Sequence, residues 1–197
     1  MITPLFGKSI YSNQLHIDAE KIVSMIEAPR KAIVSNTGKK SLYVLEEEKF
    51  KFLKDIILEE FYAYAHGEMK YINEFKITTS WFTQVDKEES SQFHNHQNCF
   101  ISGVLYLQTF KNCGEIQFQD FSDDRFQLSV YESNVLNSKG WAYEPKDGLI
   151  LFFPSEVRHK IGKNKSGQTR HSLAFNLIPV GLIGDETEDS HASITTA

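Results

Sequence analysis

The chain has 197 residues, 41% of them hydrophobic and 24% charged, with a formal net charge of −5. That length suits one domain able to bury about two-thirds of its unfolded surface. The acidic balance argues against a nucleic-acid binder, which carries a basic surface. Cys99 and Cys113 supply neither metal-ligand spacing nor a disulfide framework, and no run approaches the roughly twenty apolar residues of a membrane helix. The opening Met1-Ile2-Thr3-Pro4-Leu5-Phe6 has no basic stretch and no long apolar core. A soluble protein of the reducing cytoplasm is therefore expected.

In chain order, residues 3–17 alternate loosely between apolar and polar and read as a strand or extended arm. Asp18 offers an N-cap for a short helix over 19–28, with Ile22, Val23 and Ile26 at helical spacing, closed by Pro29. Residues 30–41 are polar and read as a loop. The longest helical signal runs from about Glu46 to Ala65, where Phe50, Leu53, Ile57, Phe61 and Tyr64 recur at three- and four-residue steps. Gly67 is the expected stop.

From Tyr71 the period changes. Residues 71–85 read as one or two strands, 86–91 as a solvated turn, and Phe100–Phe110 as a strand. Lys111-Asn112-Cys113-Gly114 and then Glu115–Phe121 suggest that these two strands form a hairpin. Residues 122–140 are polar and irregular, a candidate substrate-covering loop. Short strands are expected at 141–144, 148–153, 157–161 and 171–178, and a flexible acidic tail at 181–197. Helices first and about eight short strands after them imply an antiparallel barrel or double sheet with helices outside. The domain is thus expected to span 1–180, with helical support over about 18–66 and a β core over about 71–180.

The chemistry concentrates in Gln92-Phe93-His94-Asn95-His96, directly before the apolar run that opens at Phe100. Residues i and i+2 of an extended segment point the same way, so His94 and His96 form half of a metal site. His159 is the candidate for the other half, with Arg170 and Ser172 following it. Taken singly, each of these is more often structural; their order and spacing together shift the balance.

The ordered set Ser80-Trp81, His94-x-His96, Ser102-Gly103-Val104-x-Tyr106-Leu107, Phe153-Pro154, His159 and Arg170-x-Ser172-x-x-Phe175-Asn176 resembles the Fe(II)/2-oxoglutarate-dependent oxygenases. Within them it is most similar to the small members found in marine bacteria and their phages. The resemblance covers about 80–179. It implies a mainly β fold: a double-stranded β-helix (jelly-roll) core with the N-terminal helices packed outside. It further implies Fe(II) held by His94, His96 and His159, and 2-oxoglutarate and O2 as co-substrates. Arg170 and Ser172 would bind the remote carboxylate, with Tyr106 hydrogen-bonded to the co-substrate.

The chain departs from the family pattern at His96, where a carboxylate is usual. His96 is the expected third ligand, by its i, i+2 geometry. The alternative is a role outside the metal's ligand set, with water or a distant acid such as Asp120 completing the site. The expected activity is hydroxylation of an unidentified small molecule or protein side chain, releasing succinate and CO2. Two other readings stand beside it: a cupin-like three-histidine metalloenzyme that does not use 2-oxoglutarate, and a jelly-roll binding or structural protein without turnover.

Overall fold

A computed structural model describes residues 7–27, 30–31, 42–121, 128–187 and 189–195. The start of the first extended segment, Pro29, most of the 30–41 loop and Asp123-Asp124 lie outside them. Strand β1 is Tyr11–Gln14, and helix α1 is Ala19–Ser24. The Asp18 carboxylate accepts the Lys21 amide at 3.1 Å and caps α1 as its sequence implies. Arg30–Lys31 is not loop but a short strand, β2, paired in parallel with β3 (Glu74–Val85).

Helix α2 spans Lys51–Tyr62, preceded by two single turns of 3₁₀ helix and followed by a π-helical turn over Ala63–Glu68. Phe50, Leu53, Ile57, Phe61 and Tyr64 are all buried, so the apolar stripe read from the sequence is the face that meets the sheet. Burying each such side chain contributes about 1.5–3 kcal/mol. Gly67 is not the stop. It lies within the π turn, and the chain reverses at Lys70, which takes φ 59°.

The remaining strands are β4 (Ile101–Gln108), β5 (Ile116–Gln119), β6 (Gly140–Tyr143), β7 (Leu149–Pro154), β8 (Arg158–Ile161), β9 (Arg170–Ile183) and β10 (Ala192–Ile194). Among the described residues they form a seven-stranded sheet ordered β1-β7-β4-β9-β3-β2, with β10 on β9, and a three-stranded sheet ordered β6-β5-β8. Neither sheet closes on itself. The protein is mainly β with few helices. No described helix is long and apolar enough to cross a membrane.

Two sequence expectations fail here. β4 and β5 are not a hairpin: β4 lies between β7 and β9, whereas β5 lies between β6 and β8. β4 is buried on both faces from Ile101 to Leu107, and such a strand belongs in the middle of a sheet with a neighbour on each side. The turn between β4 and β5, with positive φ at Asn112 and Gly114, carries the chain from one sheet to the other. Nor do the described residues beyond 180 form a structureless tail. β9 continues to Ile183, and Ala192–Ile194 pairs back onto it.

The large sheet sorts its side chains by parity. Ile101, Leu105, Leu107, Ile150, Phe152, Leu173, Phe175 and Leu177 face the helices, while Val104, Tyr106, Leu151 and Phe153 face Ile116 and Phe118 of the small sheet. Gly103 is required on the helix side, because a Cβ there would lie 2.2 Å from Phe175 Cε2. In β3 the buried residues Phe75 and Ile77 are odd-numbered but Ser80 and Phe82 are even. An irregularity between Ile77 and Thr79 absorbs the change. Beyond it, Thr79, Trp81, Thr83 and Val85 face the small sheet with the even-numbered residues of β9.

Candidate metal and co-substrate site

His94 and His96 sit on the irregular segment before β4, which borrows regularity from its neighbours. His94 and His159 exchange both backbone hydrogen bonds, at 2.9 and 2.8 Å, and the His96 amide donates to the Ser155 carbonyl at 2.9 Å. These pairings bring the three rings together. Their centroids are 4.5 Å apart for His94–His159, 5.1 Å for His96–His159 and 5.4 Å for His94–His96. One nitrogen from each ring lies within 4.8 Å of the other two.

The opposite nitrogens are engaged. His94 Nδ1 lies 2.9 Å from the Gln92 carbonyl, and His159 Nδ1 lies 3.0 Å from that of Val157. His96 Nδ1 lies 2.7 Å from Asn176 Oδ1. Hydrogen bonding at Nδ1 leaves Nε2 as the available lone pair, the usual arrangement of metal-binding imidazoles. Burial pushes the His159 imidazole down to about 3 and lowers that of His96, so both rings are neutral at pH 7. The cluster opens to solvent at His94, which is exposed, and closes inward at His159, which is buried. Asp120, an exposed residue at the end of β5, is not part of the cluster.

Of the other predicted residues, Arg170 and Ser172 lie at the start of β9 and Tyr106 on β4 beside it. Tyr106 is the register partner of Ser172, and Ser172 in turn pairs with Thr83. Arg170 is 1% exposed; its guanidinium lies over the Tyr106 ring with Cζ 5.3 Å from the centroid. Nη1 donates to the Gly114 carbonyl at 2.7 Å, while Nε is buried without an acceptor. No carboxylate of the described residues pairs with it. Gly114 must be glycine: at φ +89°, a Cβ would lie 2.2 Å from the Gly162 carbonyl oxygen. Burial lowers the Arg170 pKa, and burial also pushes the Tyr106 hydroxyl up to about 12.

The Ser102–Asn176–Thr79 row that holds His96 and the Tyr106–Ser172–Thr83 row beneath the guanidinium are four residues apart on β9, about 13 Å of strand. The guanidinium of Arg170 and the row that holds His96 therefore share one face of one sheet. Three converging imidazoles suit a first-row transition metal, and a buried guanidinium with no acidic partner among the described residues suits an anion.

Residues 79–176 match the family described as "Putative 2OG-Fe(II) oxygenase". Over these residues the chain belongs to the 2OG-Fe(II) oxygenases. That membership implies Fe(II), 2-oxoglutarate and O2 for this site, and both the histidine cluster and Arg170 fit them.

Solved structures agree at the level of fold. The chain is similar to the viral collagen prolyl hydroxylase of Paramecium bursaria Chlorella virus-1, solved as its 2-oxoglutarate complex. Identity is 14%, the likeness covers 87% of this chain and 96% of that one, and the TM-score is 0.54. It also matches a 2OG-Fe(II) oxygenase-family oxidoreductase from Burkholderia pseudomallei (13% identity, 86% of this chain and 66% of that one, TM-score 0.45). A third match is a Pseudomonas putida prolyl-4-hydroxylase (15% identity, 68% and 66%, TM-score 0.46). The chain thus spans 66% of the length of each of these two bacterial enzymes. No curated protein matches the sequence significantly.

The sequence reading did not foresee Asn176, Ser155 and Thr79 as partners in the metal region, nor the Gly114 carbonyl under Arg170. The available signal was polarity. Ser102 and Asn176 are polar residues inside otherwise apolar runs, and both are buried.

Proposed function

We propose that this oxygenase is an Fe(II)- and 2-oxoglutarate-dependent dioxygenase that hydroxylates its substrate with release of succinate and CO2. On this reading the two sheets are the halves of a double-stranded β-helix, and residues 1–180 work as one domain in the cytoplasm. His94, His96 and His159 hold Fe(II) through Nε2. Arg170 and Ser172 hold the remote carboxylate of 2-oxoglutarate, and Tyr106 orients it.

The observation that carries the proposal is Arg170, a fully buried guanidinium whose Nε has no acceptor and which has no acidic partner among the described residues. Burying such a charge unpaired is costly, and a carboxylate arriving from solvent would complete it with charge-assisted bonds. When bound, Fe(II) with O2 and 2-oxoglutarate supplies the oxidising power for substrate hydroxylation. The chain's own residues do the rest. The histidine Nδ1 bonds set the three rings, and the apolar layer of Val104, Phe118, Leu151 and Phe153 keeps water from the inner wall. The exposed side at His94 leaves room for substrate.

Calorimetry of the Mn(II)-loaded protein with 2-oxoglutarate under nitrogen tests this reading. One-to-one binding is expected, with succinate formed when Fe(II) and O2 are supplied. Absence of binding at millimolar 2-oxoglutarate would overturn it and leave a three-histidine metal site of another kind.

A further inference from the structure

Two of the three histidines are fixed by main-chain carbonyls, which can only accept. His94 therefore donates Nδ1–H to Gln92 O, and His159 donates its own to Val157 O. Each ring then has a bare Nε2. His96 is different, because its Nδ1 faces two side-chain groups: the Ser102 hydroxyl at 2.9 Å, and the Asn176 carboxamide, whose two ends have opposite polarity. If the oxygen end faces the ring, His96 carries its proton on Nδ1 and Nε2 is free to bind a metal. If the nitrogen end faces it, the proton moves to Nε2, inside the cluster, and no ligand remains.

The surrounding hydrogen bonds select the first arrangement. Asn176 Oδ1 lies 2.7 Å from His96 Nδ1 and accepts from Ser102 Oγ at 2.8 Å. With its own hydrogen donated to Asn176, Ser102 Oγ is left as an acceptor toward Ser155 Oγ at 2.8 Å and toward His96 Nδ1 at 2.9 Å. The amide's nitrogen end donates to Thr79 Oγ1 at 2.9 Å. Both oxygen lone pairs are thereby used, and the amide is held at each end.

This row is assembled by the sheet: Ser102, Asn176 and Thr79 are register partners across β4, β9 and β3. The irregularity after Ile77 puts Thr79 on this face; without it Thr79 would point to the helices. Ser102 and Ser155 are fully buried and Asn176 nearly so, so water does not compete for these bonds.

We propose that Asn176, oriented by Thr79 and Ser102, is a positioning residue that sets the tautomer of His96 and so makes this ring a metal ligand where relatives carry a carboxylate. The proposal rests on the three-histidine reading above. It also gives the metal three neutral ligands, because the partner of His96 is an amide and not an acid.

The test has two arms. Long-range ¹H–¹⁵N correlation spectra of the metal-free, histidine-labelled protein read the tautomer directly, with the His96 signals assigned by their loss in His96→Gln. The Nδ1–H form is expected. Co(II) titration, followed by absorption, reads the ligand. Asn176→Leu should weaken binding about 10–100-fold, the usual effect of losing a partner behind a metal-bound histidine. Asn176→Asp should recover most of it, because both its oxygens accept. Thr79→Val preserves shape and strand propensity while removing the anchor of the amide nitrogen. It should weaken binding by a smaller factor and show the Nε2–H form of His96 in its spectrum. If Asn176→Leu does not fold, Thr79→Val decides alone.

An Nε2–H tautomer in the wild type, or wild-type Co(II) affinity in folded Thr79→Val, would overturn the proposal. Failure of the underlying reading looks different: no Co(II) bound by the wild type, or equal binding by His159→Ala.

Discussion

The two ends of the site are built by opposite strategies. At the histidine end, two imidazoles come from an irregular segment and one from an edge strand, yet every ring is held by a specific hydrogen-bond partner, and burial keeps His96 and His159 neutral. At the other end, Arg170 projects from the long central strand β9 into a buried interior, and no carboxylate of the described residues pairs with its charge. The first end is complete within the chain, with its geometry satisfied before any ligand arrives. The second holds no acidic partner among the described residues, and on the proposed reading that partner comes from outside. On that reading, the fold places rigidity where a metal needs three converging atoms, and an unmet charge where an acid is recognised.

Breaking the metal end should give the largest effect. His159 is the buried ring of the cluster, and its backbone also anchors the segment carrying His94. His159→Ala or His94→Ala is expected to abolish stoichiometric Fe(II) or Co(II) binding, a loss of at least about 100-fold. Isothermal titration under nitrogen would check this. Retention of one tightly bound metal in either variant would show that the cluster is not the site.

Breaking the anion end should leave the metal in place. A hydrogen bond to a charged group contributes about 1.5–3 kcal/mol, so Arg170→Ala should weaken 2-oxoglutarate binding at least about tenfold. Arg170→Lys should recover part of this, keeping the charge but not the two-pronged geometry. Arg170→Met sharpens the contrast. Removing a buried, unpaired charge should leave the ligand-free protein as stable as the wild type or more so, while co-substrate binding is lost. A large drop in the chemical-denaturation midpoint of Arg170→Met would mean that the guanidinium serves the fold and not a ligand.

What the sequence discloses about these ends depends on whether the signal is local. The stripe Phe50–Tyr64 is legible because helical period is a property of neighbouring residues, and Asp18 reveals its cap for the same reason. The three histidines are legible as a set because imidazoles in this order have few other uses. The β4–β5 pairing is not legible, since Asn112-Cys113-Gly114 serves equally well to close a hairpin or to cross between sheets. Only the burial of β4 on both faces, which needs two flanking strands far away in sequence, decides it. The role of Asn176 is hidden in the same way. It depends on the register of β9 against both β3 and β4, and on an irregularity at Thr78 that no residue there announces.

The most gradual effect, and one confined to the histidine end, is a dependence of metal-free stability on pH. Folded His159 stays neutral down to about 3 because burial disfavours its charged form, whereas the unfolded ring takes a proton near 6.5. Between those values the unfolded state binds more protons than the folded one. Stability from this source is therefore full above about pH 6.5 and falls as pH falls towards 3. The slope is at most about 1.4 kcal/mol per pH unit for one ring, and the lowered pKa of His96 adds to it in the same direction. Arg170 stays charged throughout this range, so the anion end contributes nothing. Urea unfolding of the metal-free protein at several pH values, compared with His159→Phe, isolates the effect from the surface carboxylates common to both. The wild type should lose stability more steeply below about pH 6.5. Parallel curves would mean that His159 is protonated in the folded protein, and that its ring is not held as a neutral ligand.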